Sequence, residues 1–293
     1  MIEPAVLAGR DRYERVMDGW TDNTHAEGFA HTVRLSEPDR TVELCVVALP
    51  SPEYAIREAR ARAVSGDVEP RVVDAVGTLA GTRMVAGFTR AMADAVGRGA
   101  GASLLVDAGI EAARLARQVT NLPRDRAERA AGGDPWECWQ LDTTGWSDLP
   151  DSCFTYSDAG RALFGTRTIV SPMQPDLYSP RPGQTRVFVR RKVARIERAG
   201  AVLTLSHSMH DNVHGFDLTL AIEARTGHIE RAESVTSRLP YAGICSEPQG
   251  KIKTLIGERV DGGLRKRLAS HVGGVTGCAQ LFDLTADLLK LLA

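Results

Sequence analysis

Two stretches in the second half of the chain, Arg186–Arg198 and Ala201–Ser208, are strand-like, and along Ala201–Ser208 apolar and polar residues alternate. A period of two places apolar side chains on one face of an extended segment, which predicts strands. Phe216–Glu223 carries the same pattern to a turn at Arg225-Thr226-Gly227, and His228–Ser237 resumes it, so a hairpin is expected there. The spacing then changes. Leu264, Leu268 and Val272 recur every fourth residue, and Leu281, Thr285, Leu288 and Leu292 nearly so, predicting two helices with one apolar face each. In the first half Val42–Ala48 is strand-like, while Phe88, Met92 and Val96, then Leu105, Ala108, Ala112 and Leu115, are helix-like. Strands followed by helices, rather than strict alternation, imply an α+β fold.

The two halves also share residues. At an offset of 176, Gly81–Ala108 aligns with Gly257–Leu284 without a gap, and nine of the 28 pairs are identical. Four of the nine are glycines, Gly81/Gly257, Gly87/Gly263, Gly97/Gly273 and Gly101/Gly277, which favour backbone geometries that other residues reach only with strain. The expected architecture is therefore two tandem repeats, each of antiparallel strands followed by helices, packed as a pseudo-two-fold dimer. Residues 1–121 form the first, degenerate repeat and 186–293 the second, which carries the candidate site.

Between them, residues 122–185 lose periodicity and hold three of the four tryptophans, Trp136, Trp139 and Trp146. Aromatic content argues against a disordered linker. A connector of this length is either a lid or pocket wall for an apolar ligand, or a belt packed over the repeat interface.

Composition narrows the class. With 36 Lys+Arg against 37 Asp+Glu and 43% hydrophobic residues, the chain can bury a core, and its near-neutral balance argues against an electrostatically driven nucleic-acid binder. No apolar run is long enough to span a membrane, and the start, Met1–Arg12, does not read as a signal peptide. Five cysteines without CxxC spacing suit a reducing cytoplasm. The expected partner is a small-molecule substrate, with no nucleic acid and no membrane.

Residues present in only one repeat point to chemistry. Cys278 stands where the first repeat has Ala102, and Gln280 where it has Leu104; five of seven histidines lie in the second repeat. Cys278 falls at the start of the last helix, where free N–H groups and the helix dipole favour a thiolate, as nucleophile or metal ligand; the alternative is a small buried residue sealing the glycine loop. In His207-Ser208-Met209-His210-Asp211-Asn212-Val213-His214, strand geometry points His210 and His214 one way and His207 and Asp211 the other. An Asp beside a His fixes its tautomer, so His210 and Asp211 are candidate catalytic residues with Cys278, unless the stretch is simply a polar edge strand. The loop Arg238–Cys245 supplies Tyr241 and Cys245. His210, Cys245 and Cys278 are the candidate ligands for a zinc or iron ion, and Tyr241, Gln280, Trp136, Trp139 and Trp146 the candidate substrate-binding residues. No P-loop lysine and no Rossmann fingerprint accompany the glycine loop, so no nucleotide cofactor is expected.

His210-Asp211, the loop Pro240-Tyr241-Ala242-Gly243-Ile244-Cys245, and Gly273-Gly274-Val275-Thr276-Gly277-Cys278-Ala279-Gln280-Leu281 together resemble a bacterial family, domain of unknown function 2889. The resemblance covers the C-terminal third, and many such proteins have His at the position of Gln280. It implies a setting in bacterial catabolism or biosynthesis, around aromatic or acyl-thioester compounds. The expected function is a small-molecule enzyme of non-redox type (hydrolase, lyase or isomerase) on an acyl or aromatic substrate; the alternative is a non-catalytic binding or carrier protein.

Overall fold

The computed structural model describes residues 1–292. Its strands are β1 (Arg12–His25), β2 (Gly28–Ser36), β3 (Thr41–Ala48), β4 (Ile56–Ser65), β5 (Gln184–Ala199), β6 (Val202–Asp211), β7 (Gly215–Glu223) and β8 (Ile229–Arg238). They form one eight-stranded antiparallel sheet in the order β4-β3-β2-β1-β5-β6-β7-β8. Several helices accompany it, so the chain is mixed α and β, with the strands that the period-two stretches predict.

The chain divides into two compact units. One, here the N-terminal unit, comprises Val16–Ser147 and Met173–Arg191; the other, the C-terminal unit, comprises Met1–Arg15, Asp148–Pro172 and Lys192–Ala293. The aperiodic connector thus contributes to both.

In the N-terminal unit, Val42, Leu44 and Val46 of β3 are fully buried on one face, opposite Leu35, Val33 and His31 of β2 in register. Each Leu or Val buried this way contributes roughly 1.5–3 kcal/mol. The helix Phe88–Val96 buries Phe88, Met92 and Val96, and the helix Ala102–Ala116 buries Leu105, Ala108, Ala112 and Leu115, the four-residue spacing of the sequence. These helices approach closely at Gly109, where a Cβ would lie 3.0 Å from Cγ of Met92. The chain enters them after β4 through a short bridge: Gly81 N–H donates to Ile56 O (2.9 Å) and Ile56 N–H to Thr82 O (2.8 Å), with Gly81 at φ +85°.

In the C-terminal unit, β6 and β7 pair Leu205 with Leu220 and Met209 with Phe216. After β8 the same bridge recurs: Gly257 N–H donates to Ile229 O (2.8 Å) and Ile229 N–H to Glu258 O (2.9 Å), with Gly257 at φ +88°. Leu264, Leu268 and Val272 face the core from the helix Leu264–Val272, and Leu281, Leu284, Thr285 and Leu288 from the helix Ala279–Leu289. At the very end the backbone tightens into a 3₁₀ turn, Lys290–Leu292, so Leu291 takes the buried position that a continued α-helical period assigns to Leu292. Lys192 is almost fully buried on β5 and pairs with Asp287 of the closing helix at 2.9 Å. Among the described residues no helix is long and apolar enough to cross a membrane.

Candidate functional site

The C-terminal unit builds its site around the glycine loop. The helix Leu264–Val272 stops at Gly273, a single 3₁₀ turn occupies Gly274–Thr276, and Cys278 caps the closing helix in an extended conformation (φ −120°, ψ 121°). Cys278 N–H donates to Val272 O at 2.8 Å. A Cβ on Gly277 would lie 2.2 Å from Val272 O and 2.4 Å from Gly273 O, so no side chain fits there. The matching residue of the N-terminal unit, Gly101, is glycine for another reason. It is itself the cap, at φ +86°, and a Cβ would lie 2.6 Å from Cγ1 of Val68. Helix entry is therefore displaced by one residue between the units, which leaves Cys278 as a cap where Ala102 is already helical.

A segment from the connector lies against this loop. Phe154 N–H donates to Gly277 O at 2.9 Å, and its neighbours Cys153 and Thr155 enter the site. Thr155 Oγ1 and Cys245 Sγ share a hydrogen bond of 2.9 Å. Cys245 N–H donates to Tyr241 O (2.9 Å), and Gln249 Nε2 donates to Cys245 O (2.9 Å). Gln249 also hydrogen-bonds the Cys278 thiol, together with the backbone of Leu281 and Gln280. Three thiols, one hydroxyl and one carboxamide thus gather from three separated stretches of sequence. Tyr241 is fully buried, with the rings of Tyr156 and Phe164 edge-on to it at 6.3 and 6.0 Å. Gln280 is half-buried in the first turn of the closing helix.

Electrostatics here run against the expected thiolate. Burial, with a smaller contribution from Cys153, pushes Cys278 up to about 11, outweighing the favourable backbone groups at the helix start and Gln249. Burial also raises Cys245, to which Cys153 and Cys278 add, and raises Cys153 itself. At neutral pH all three are thiols. Among the described residues no three His, Cys, Asp or Glu side chains are arranged to hold a metal ion, so His210, Cys245 and Cys278 do not fit a zinc or iron centre.

The Asp–His pair forms, with a different histidine. Asp211 ends β6 with its carboxylate buried, accepting the N–H groups of Val213 (2.7 Å) and His214 (2.5 Å) and lying 3.1 Å from Nδ1 of His214. The guanidinium of Arg238 donates to the Asp211 carbonyl. His210 points to the other face, nearly half exposed, with Nε2 3.5 Å from Asp217. His207 shares the buried face with Asp211, and its Nδ1 lies 3.0 Å from Leu284 O.

The tryptophans belong to the N-terminal unit. Trp136 and Trp139 stack in parallel at 5.2 Å on the helix Pro135–Gly145, whose first turn is capped by Asp134 accepting Trp136 N–H (2.9 Å). Trp146 is buried edge-on to Tyr178 at 5.4 Å. Tyr178 donates to Asp142 Oδ1 at 2.5 Å and lies 3.1 Å from Cys138 Sγ; burial raises its phenol well above the ordinary 10, so it stays a donor. Sequence reasoning missed this chain and, in the other unit, Cys153, Thr155 and Gln249. The connector carries no periodicity that would single out its polar residues, and nothing local marks Gln249.

Residues 192–292 match the family model described as Protein of unknown function (DUF2889). No curated protein and no solved structure matches the chain. The matched span lies wholly within the C-terminal unit and contains Asp211, Tyr241, Cys245, Gln249 and Cys278, whereas Cys153 and Thr155 come from outside it.

Proposed function

We propose that the chain is a small-molecule enzyme of non-redox type (a hydrolase, lyase or isomerase) that acts on an acyl or aromatic substrate at the thiol cluster of the C-terminal unit. The observation that carries this reading is the convergence of Cys153, Thr155, Cys245, Gln249 and Cys278. Burying polar side chains is unfavourable unless each is satisfied, and a core packed for stability alone does without them. At the aligned position of the N-terminal unit stands Ala102, so the thiol is particular to the C-terminal unit.

The role of Cys278 follows from its protonation. A neutral thiol near 11 is suited to delivering a proton to a carbanion or enolate, which favours lyase or isomerase chemistry over attack by a thiolate. The edge-on rings around Tyr241 supply an apolar aromatic wall, consistent with an aromatic or acyl group. Asp211 and His214 form a second acid–base pair, with Asp211 orienting the imidazole.

The same reading takes the chain to be a tandem duplication, residues 1–121 and 186–293 about the connector 122–185, with the pseudo-two-fold packing of its copies as part of the proposal. The twin bridges at Gly81 and Gly257, with matching donors, acceptors and φ, support it. A cytoplasmic setting accords with five cysteines that are all free.

One observation favours the second reading, a non-catalytic binding protein. Gln249 and the helix backbone, rather than a carboxylate or imidazole, hydrogen-bond the Cys278 thiol. Incubating the purified chain with a set of acyl thioesters and aromatic carbonyl compounds in D₂O separates the two. Enzyme action predicts thiol release or deuterium incorporation that disappears in Cys278→Ala and survives in part in Cys278→Ser. Unchanged turnover in Cys278→Ala would refute the site. Ligand-dependent stabilisation without turnover would put the binding reading in its place.

A further inference from the structure

The N-terminal unit contains an open groove of about 500 Å³ that the thiol cluster does not explain. Its size suits a small organic molecule. Its walls are built from the tip of the β1–β2 hairpin and the loop that follows β3. Gly28 lets the tip pass close to that loop: at φ +151°, a Cβ there would lie 2.3 Å from Ala48 O. The tip is also held from behind. Asn23 Nδ2 donates to Pro180 O and Arg181 O, both at 3.0 Å, Gly183 N–H donates to Asn23 O at 2.7 Å, and Arg186 N–H to Asp22 Oδ1 at 2.7 Å. Asn23 and Asp22 thus anchor the hairpin side of the groove.

What lines it is chemically specific. Arg57 of β4 faces the groove and has no carboxylate partner among the described residues. Two other arginines of the same strand are paired, Arg60 with Glu58 at 3.0 Å and Arg62 with Glu43 at 2.7 Å. His25 and Asn121 line it too, and neither side chain has a hydrogen-bond partner among the described residues. Leu49 and Pro50 supply apolar wall. One acid, the exposed Glu27, shares the lining and counts against a multiply charged anion.

We propose that this groove binds a small monocarboxylate with an apolar body, with Arg57 holding the carboxylate. A guanidinium matches a carboxylate in a planar, two-bond geometry. The carboxamide of Asn121 and the imidazole of His25 complete its hydrogen bonds, and the body lies against Leu49 and Pro50. A single carboxylate satisfies the unpaired Arg57 and meets less repulsion from Glu27 than a more highly charged phosphate would. This site lies in the other unit from the thiol cluster and does not depend on the function proposed for that cluster.

Titration calorimetry on the full chain tests it with sodium benzoate as the probe and benzamide and inorganic phosphate as comparators. Saturable benzoate binding is expected, with benzamide weaker by about tenfold or more, since it keeps the shape and loses the charge. Arg57→Gln should weaken benzoate by about tenfold or more and leave the ligand-free melting temperature unchanged, because the side chain is exposed and unpaired. Asn121→Ala should weaken it less, and Cys278→Ala should leave it unchanged. The proposal is overturned by absence of saturable benzoate binding at concentrations of about 10 mM, by equal affinity in Arg57→Gln, by preference for phosphate, or by loss of binding in Cys278→Ala, which would place the ligand in the other unit.

Discussion

The raised pKa of Cys278 makes a prediction about stability and reactivity together. Burial moves its thiol from the ordinary 9.0 to about 11, so at neutral pH the folded chain carries roughly a hundredfold less thiolate at this position than an exposed cysteine would. The folded state holds this proton more tightly than the unfolded one. Its contribution is fully present below pH 9 and is lost as pH rises from 9 through 11. A two-decade difference in proton affinity corresponds to about 2–3 kcal/mol once titration is complete. The assay is urea unfolding of the wild type and Cys278→Ala at several pH values between 8 and 11. Cys245 and Cys153 titrate in the same direction, so the informative quantity is the difference between the two proteins. The wild type should lose more stability than Cys278→Ala across that window, and alkylation of native Cys278, followed by mass spectrometry, should rise about tenfold per pH step up to about 11. A pH dependence identical in the two proteins, or fast alkylation at pH 7.5, would refute the argument that burial outweighs the helix terminus.

Two further outcomes follow from the geometry. Gly277→Ala, which places a Cβ 2.2 Å from Val272 O, should destabilise the chain by about 2 kcal/mol or more, whereas Gly81→Ala, with open space around its Cβ, should cost only the left-handed backbone penalty of about 1 kcal/mol; equal effects in thermal melts would contradict the close approach. His31 is fully buried, with Nδ1 3.0 Å from Thr21 Oγ1, and burial lowers its imidazole to about 3. Its stabilising contribution is present above pH 6.5 and is lost as pH falls from there towards 3, so His31→Gln should flatten the acid side of the pH–stability curve; an unchanged acid limb would count against a neutral buried imidazole.

Much of the fold was legible because it is written in local periods. The alternation in Phe216–Glu223 and the turn at Arg225–Gly227 correspond to β7 and its hairpin with β8, and the four-residue spacing of Leu264, Leu268 and Val272 to one helix face. Such signals need only neighbouring residues and the geometry of one element. Where the element ended, the period misled. His214 lies beyond the last residue of β6, in the turn, and there meets Asp211, while His210 faces away from it.

Local pattern thus revealed β3 and β5–β8, the helix faces, the shared glycine skeleton and the concentration of histidine towards the C-terminus, but left β1, β2 and β4 unread. Which of those residues meet depends on how distant segments pack. Cys153 and Thr155 join Cys245 and Cys278 because the connector bonds to Gly277, across more than a hundred residues of chain. Tertiary burial also reversed the electrostatics: a helix start favours a thiolate, and the loss of water around Cys278 outweighs it. Local patterns fix backbone conformation through short-range sterics and side-chain period, whereas side-chain proximity and dielectric environment arise from packing between segments that the order of residues does not encode locally.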